Sequence, residues 1–159
     1  MLRRLQARRS VERRRKKLAA QAQREAERKA LEAARAAREA EERAVRARVA
    51  ALCGTWCGVG RQGEEESTWS DVELTFTLTQ GTVGTIQGNG LSQWHLMRKR
   101  FVVSGFFNLD KNELSLEKEQ AKQKLAYHCE LTDSDDGKEL IMTGSCAGGT
   151  LELRKQALR

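Results

Sequence analysis

The distribution of glycine and proline divides this chain into two parts that must fold differently. Proline does not occur, and all 13 glycines lie at or beyond Gly54. Residues 2–52 therefore lack both of the strongest helix breakers, and they are rich in Ala, Arg, Glu, Gln and Leu, which favour a helix. We predict an α+β chain, with one long helix over residues 1–52 and a second domain over residues 53–159.

Charge pairing supports the helix, whereas its apolar pattern does not support a coiled coil. Glutamates precede bases by four residues at Glu12/Lys16, Glu25/Lys29, Glu39/Arg43 and Glu42/Arg46, the more favourable orientation. Leu31, Val45 and Leu52 share one heptad phase, but Arg38 occupies the intervening position. Because heptads are not sustained, we do not expect a stable self-paired coiled coil, and a single solvent-bridging helix is the alternative.

The helix carries the positive charge of the chain. Residues 1–50 contain 17 Lys/Arg and 7 Asp/Glu, whereas the remainder is mildly acidic, with a net charge of −3. A basic segment occupies residues 3–17, in which one acid, Glu12, opposes nine bases: Arg3, Arg4, Arg8, Arg9, Arg13, Arg14, Arg15, Lys16 and Lys17. Bases on every face predict contact with an anionic scaffold, either RNA or acidic tubulin. Solubility of an exposed helix is the simpler explanation, and anionic lipid is least favoured.

The sequence offers no clear signal for export or membrane insertion. No apolar h-region follows the first arginines, and no run approaches the roughly 20 apolar residues of a membrane span. The start resembles a mitochondrial presequence, but it is poor in serine and continues directly into the Arg/Glu-rich helix, so we favour an uncleaved segment. The four cysteines are expected to be reduced thiols in the cytoplasm or an organellar matrix.

Beyond Gly54 the apolar residues alternate with polar ones, which predicts antiparallel strands with one buried face. Examples are Val72, Leu74 and Phe76, with Glu73 and Thr75 opposite. About eight strands are expected near 54–59, 70–78, 82–88, 93–98, 101–107, 113–119, 124–132 and 138–146, and a last one near 149–154 would make nine. Turn residues separate them, so we predict an up-and-down meander that closes into a barrel, with a flattened sandwich as the alternative.

Two short segments add a family resemblance over residues 53–155. Gly54-Thr-Trp56-Cys-Gly58 and Gly149-Thr-Leu151-Glu-Leu153 resemble the first and last strands of avidin and lipocalin-type barrels. The resemblance implies that Trp56 is a structural residue on the barrel floor, and that the interior holds biotin or a small hydrophobic ligand. The sequence lacks the later tryptophans of a biotin site, and similar barrels also occur as structural modules without a ligand.

The candidate chemical sites each have a simpler explanation. Four thiols could form a zinc site, but Cys129 lies in the apolar phase of its strand, as a core residue would. His128 points away from Cys129, which disfavours a nucleophile pair. Arg98, Lys99 and Arg100, beside Trp94, form a secondary basic patch suited to nucleic acid, or else a solvated strand end. We expect no catalytic residues, no metal and no cofactor.

The leading hypothesis is therefore a non-enzymatic structural subunit of a large assembly. Its helix would anchor to an anionic scaffold, and its barrel would contact other protein subunits. The microtubule of a ciliary axoneme, part of the cytoskeleton, is favoured slightly because residues 25–42 carry more acids than rRNA-binding arms usually do. The alternatives are a mitochondrial ribosomal protein with an RNA-binding arm, located in the matrix, and a small-ligand carrier that uses the barrel interior. No membrane partner is expected.

Overall fold

A computed structural model describes the backbone from Leu2 to Lys155 and the side chains from Val11 to Lys155. One helix, α1, spans Leu2–Leu52. Eight strands follow: β1 (Gly54–Gln62), β2 (Glu65–Gln80), β3 (Val83–Trp94), β4 (Met97–Asn108), β5 (Glu113–Gln120), β6 (Gln123–Asp133), β7 (Leu140–Cys146) and β8 (Gly149–Lys155). The predicted α+β class is confirmed.

The eight strands form a closed barrel in which every strand pairs with its sequence neighbours and β1 pairs with β8, all antiparallel. Closure leaves no unpaired sheet edge, and the sandwich alternative is therefore wrong. The predicted inward phases are confirmed: Val72, Leu74 and Phe76 are buried on β2, while Glu73 and Thr75 are exposed.

The strand boundaries between residues 82 and 98 differ from the prediction. Instead of two strands at 82–88 and 93–98, β3 runs without a break to Trp94, and the chain turns at His95 and Leu96. The segment Gly88-Asn89-Gly90, whose residue types favour a turn between those two predicted strands, lies inside β3. A Cβ on Gly88 would lie 2.2 Å from the carbonyl oxygen of Glu73, so this glycine permits close approach of β2 rather than a turn.

The chain divides into two compact units, one ending at Arg43 and the other beginning at Ala44. The last turns of α1 therefore belong with the barrel. Val49 and Leu52 are buried in its hydrophobic core, and Arg48 donates hydrogen bonds to the carbonyl oxygen of Leu109 (3.4 Å) and to Asn112. Residues 44–52 close this end of the barrel, which we call the closed end.

Trp56 lies at the closed end of the barrel. Its side chain is fully buried, and its indole N–H donates a 3.0 Å hydrogen bond to the carbonyl oxygen of Leu52. That carbonyl lies in the last turn of α1, where no intrahelical donor remains. Lys155 donates to two neighbouring carbonyls, of Ala51 and Cys53, so the end of the helix is held by both the first and the last strand.

Candidate functional site

The described part of the basic segment is exposed on all sides. Every side chain from Val11 to Ala44 is exposed, including Arg13, Arg14, Arg15, Lys16 and Lys17. Consecutive helical residues are about 100° apart, so these five bases cover the whole circumference of the helix. The side chains of Arg3, Arg4, Arg8 and Arg9 lie outside the described residues. The described part of this segment is therefore a helix with positive charge on all sides, and it is not an amphipathic helix.

The following turns of the helix carry balanced charge. Residues 24–43 contain six bases and six acids. Several form ion pairs one turn apart, among them Lys29–Glu25 at 3.1 Å and Arg35–Glu39 at 3.0 Å. Such exposed pairs stabilise a helix by only a few tenths of a kcal/mol each, but they also neutralise its surface. The net positive charge of α1 is therefore concentrated before residue 18.

The second candidate feature is the end of the barrel opposite the closed end, which we call the mouth. A cavity of about 240 Å³ opens there, lined by residues that include Trp94, Met97, Lys118, Leu125 and Tyr127. Below this cavity the interior is packed. The ring centres of Phe76 and Phe107 lie 5.5 Å apart, and both side chains are buried. The inward side chains that the structure describes below the mouth are therefore packed against one another, and the mouth offers free volume.

Lys118 is the most unusual residue of the mouth. It is only 7% exposed, and its ammonium lies 4.3 Å from the ring centre of Trp69 and 4.7 Å from that of Phe101. Within residues 11–155, no carboxylate forms an ion pair with this ammonium, and burial lowers its pKa from 10.5 to about 8. Two aromatic faces partly replace its lost hydration, so the lysine remains cationic at neutral pH.

Hydrogen-bonding groups line the same cavity as Lys118. Gln120 donates a 2.8 Å hydrogen bond to the buried hydroxyl oxygen of Ser92. The indole N–H of Trp69 donates to Ser67 at 3.1 Å and is therefore already satisfied. Burial, assisted by the neighbouring Cys146, raises the pKa of Tyr127, so its phenol stays neutral. The mouth thus holds the buried Lys118 cation beside neutral polar groups, and the charged side chains of Arg61, Glu65, Glu66 and Lys99 also line it.

Sequence reasoning missed Lys118, although a signal existed. Leu114 and Leu116 define the inward phase of β5, and Lys118 continues that phase by two residues. A lysine in the buried register of a strand is unusual, because lysines are almost never fully buried without a partner. Its burial could therefore have been predicted from the alternation alone.

The secondary basic patch is divided between two faces of β4. Arg100 lines a groove on the outside of the barrel, whereas Lys99 lines the mouth cavity. Arg98 donates a 3.1 Å hydrogen bond to Gln93 on the paired strand. Alternation along a strand separates these neighbours. The three residues therefore do not present one continuous cationic surface, although all are exposed.

The cysteines and acids do not assemble into a metal site in the described part of the chain. No three His, Cys, Asp or Glu side chains there are placed to hold an ion. The cysteines are thiols rather than disulfides, and Cys129 is fully buried, which raises its pKa to about 12. His128 is exposed on the outer face. Among the described residues, no helix is long and apolar enough to cross a membrane.

Replacing Lys118 by methionine should stabilise the barrel at neutral pH. The substitution keeps an unbranched side chain, shorter by one heavy atom, and removes a charge that is buried without an anion, so we expect the free energy of unfolding to rise by about 1 kcal/mol. Because the pKa of Lys118 is about 8 in the folded protein, whereas an ordinary lysine has a pKa of 10.5, the folded wild type releases this proton at a lower pH than the unfolded chain. Between pH 8 and pH 10.5, the free energy of unfolding of the wild type should therefore rise relative to that of the variant. Urea denaturation across that range measures both effects, and a constant difference would contradict the assignment.

Comparisons with known proteins give no relative for this chain. No family model matches it, and neither a characterised protein nor a solved structure resembles it significantly. The function must therefore be inferred from the residues of this chain.

Proposed function

We propose that this chain is a non-enzymatic structural subunit of a large assembly, and that its basic helix anchors it to an anionic scaffold. The single observation that carries the proposal is the exposure of Arg13–Lys17 around the full circumference of α1. A helix that merely remained soluble would need only one charged face. Contact with phosphates or carboxylates on several sides explains bases on all of them.

The charge balance of α1 supports an anchor near its N-terminal end. Residues 24–43 have no net charge and form internal ion pairs, so they offer little attraction to a polyanion. They act instead as a spacer that the pairs keep helical. The barrel then serves as a platform for other protein subunits. Phe106, 68% exposed, and Val102, 54% exposed, share the outer face of β4 and offer apolar contact positions.

The axonemal microtubule is the scaffold that we favour, which places the protein in the cytoskeleton of a cilium. The acids of residues 24–43 would weaken continuous contact with RNA phosphates, whereas they are compatible with a helix that touches tubulin carboxylates only through its first turns. A mitochondrial ribosomal protein with an rRNA-binding arm is the alternative.

Replacement of Arg13, Arg14, Arg15, Lys16 and Lys17 by glutamine should weaken scaffold binding about 100-fold, because five anion contacts are lost while helix propensity is retained. Cosedimentation of the full chain with microtubules, and separately with ribosomal RNA, measures the effect at fixed salt. The two scaffolds should also be offered in competition.

A matched variant controls for general changes to the helix. Replacing Glu25, Lys29, Arg35 and Glu39 by glutamine alters four charges without changing the net charge, and it should leave binding within about 2-fold. Equal loss in both variants would contradict an anchor at Arg13–Lys17. Preference for ribosomal RNA in competition would favour the mitochondrial alternative, and binding of neither scaffold would contradict the proposal.

Kinship with avidin and lipocalin-type barrels, and with it a role as a small-ligand carrier, is a separate proposal. Its support is the up-and-down order of eight strands together with the buried Trp56 of the Gly54–Gly58 motif. The packed interior limits any such ligand to the mouth of the barrel.

A further inference from the structure

The mouth of the barrel contains a cation that the proposed anchoring function does not use. Lys118 is 7% exposed, yet it lines an open cavity of about 240 Å³ and has no anionic partner in the part of the chain that the structure describes. A buried charge of this kind is unfavourable unless something compensates it. The rings of Trp69 and Phe101 compensate only in part, since a cation–π contact is weaker than a desolvated ion pair.

We propose that the mouth binds a small organic monocarboxylate, with the carboxylate on the Lys118 ammonium and an apolar or aromatic body against Trp94, Met97 and Leu125. The inference is independent of the scaffold-binding helix, because every residue that it uses belongs to the barrel.

The lining of the cavity favours a carboxylate over a phosphate. Lys118 offers N–H donors, and Ser92 accepts a hydrogen bond from Gln120, so its own proton is free to be donated to a ligand. Among the charged side chains of the lining, Arg61 and Lys99 are balanced by Glu65 and Glu66, and Arg61 pairs with Glu66 at 2.8 Å, so Lys118 supplies the net positive charge. This net charge suits a monoanion, whereas a phosphate dianion would leave one negative charge uncompensated.

The size of the cavity limits the ligand. A water molecule takes about 30 Å³ of liquid volume, so 240 Å³ holds roughly eight waters, or a ligand with about that number of heavy atoms. The apolar side chains of the lining include Trp94, Met97 and Leu125, which suit a flat or short apolar body. Benzoate matches both the charge and the size, and it is therefore a suitable probe.

Titration of the full chain with benzoate, measured by calorimetry and by indole N–H resonances in NMR spectra, tests the proposal. At pH 7 we expect saturable binding that is at least 10-fold tighter than binding of benzamide, the neutral isostere. Lys118→Met should weaken benzoate binding at least 10-fold. Lys111→Met, an exposed lysine in the loop at the closed end, should leave it unchanged.

The pH dependence gives a second readout that needs no variant. Benzoate stays ionised, so affinity should fall as pH rises from 7 to 10 and Lys118 loses its proton. The other titratable groups around the cavity are Arg61 on β1, Glu65 and Glu66 on β2, Lys99 on β4, Tyr127 on β6 and Cys146 on β7. A matching loss in Lys99→Met would assign the charge to the rim and overturn the proposal. No saturable binding, equal binding of benzamide, or equal affinity in Lys118→Met would also overturn it.

Discussion

A chain that begins at Ala44 should be almost as stable as the full-length protein, whereas a chain that begins at Cys53 should lose about 5 kcal/mol of unfolding free energy. The loss would equal the whole stability of many domains of this size. The expectation contrasts two boundaries: the end of the helix at Leu52 and the division between the compact units at Arg43.

The physical reason is that residues 44–52 supply part of the core of the barrel. Leu52 is 1% exposed and Val49 is 7% exposed, and both pack in the same cluster as Trp56. Burial of one such aliphatic side chain contributes about 1.5–3 kcal/mol. Their removal would expose Trp56 to water and leave its indole N–H without the carbonyl of Leu52 that accepts its hydrogen bond.

Urea denaturation of the two truncated chains, followed by tryptophan fluorescence, measures the difference. The full chain is the reference, and Leu52→Ala in the chain that begins at Ala44 should lie between the two, with a loss of about 3 kcal/mol. Similar midpoints for both truncated chains would show that the helix end does not close the barrel. A large loss in the chain that begins at Ala44 would instead assign stability to the exposed part of α1.

The sequence predicted most of the fold because the alternation of β strands is a local signal. It could not assign Val45, Val49 and Leu52 to the barrel, since their spacing also fits a helix that meets another helix. Leu31 shares the heptad phase of Val45 and Leu52 but is 72% exposed, so phase alone does not reveal which turns are buried. Similarly, the sequence alone does not distinguish a glycine within β3 from a glycine in a turn, because the difference depends on the position of the neighbouring strand.

The candidate sites were predictable to different degrees. Charge clustering in residues 3–17 is visible without a structure, because charge in an exposed helix needs no tertiary contact to act. The mouth depends on closure of the barrel, which brings Lys118 on β5 above Trp69 on β2. Pairing of distant strands of this kind cannot be derived from spacing along the chain, although the inward phase of Lys118 could have been.

Gly58→Ala should destabilise the protein by about 3 kcal/mol, through a clash at the seam between β1 and β8. Gly58 pairs with Leu153 on β8, and a Cβ at this position would lie 1.9 Å from the carbonyl oxygen of Glu152. That atom belongs to the backbone, so it cannot move away as a flexible side chain would. Strand β8 would have to shift, and the hydrogen bonds that close the barrel would lengthen.

Gly81→Ala is the matched control. Gly81 has a φ of +56°, and a Cβ there would meet nothing within 4 Å. Its substitution therefore introduces backbone strain without a clash, which costs about 1 kcal/mol. Comparison of the two variants by urea denaturation separates steric exclusion from conformational strain. Amide hydrogen exchange should further show faster exchange along β1 and β8 in Gly58→Ala alone.

Equal losses in the two variants would contradict a clash at Gly58, because its φ, unlike that of Gly81, does not lie in the left-handed region. A larger loss in Gly58→Ala would give the Gly54–Gly58 motif a physical explanation. Trp56 on β1 fills the closed end of the barrel. Two residues later on the same strand, Gly58 allows the backbone of β8 to approach closely. Any small barrel that closes its first and last strands beside a buried indole meets the same requirement. The Gly54–Gly58 motif would then be explained by closure of the barrel. The identity of a ligand would have to be inferred from the residues of the mouth.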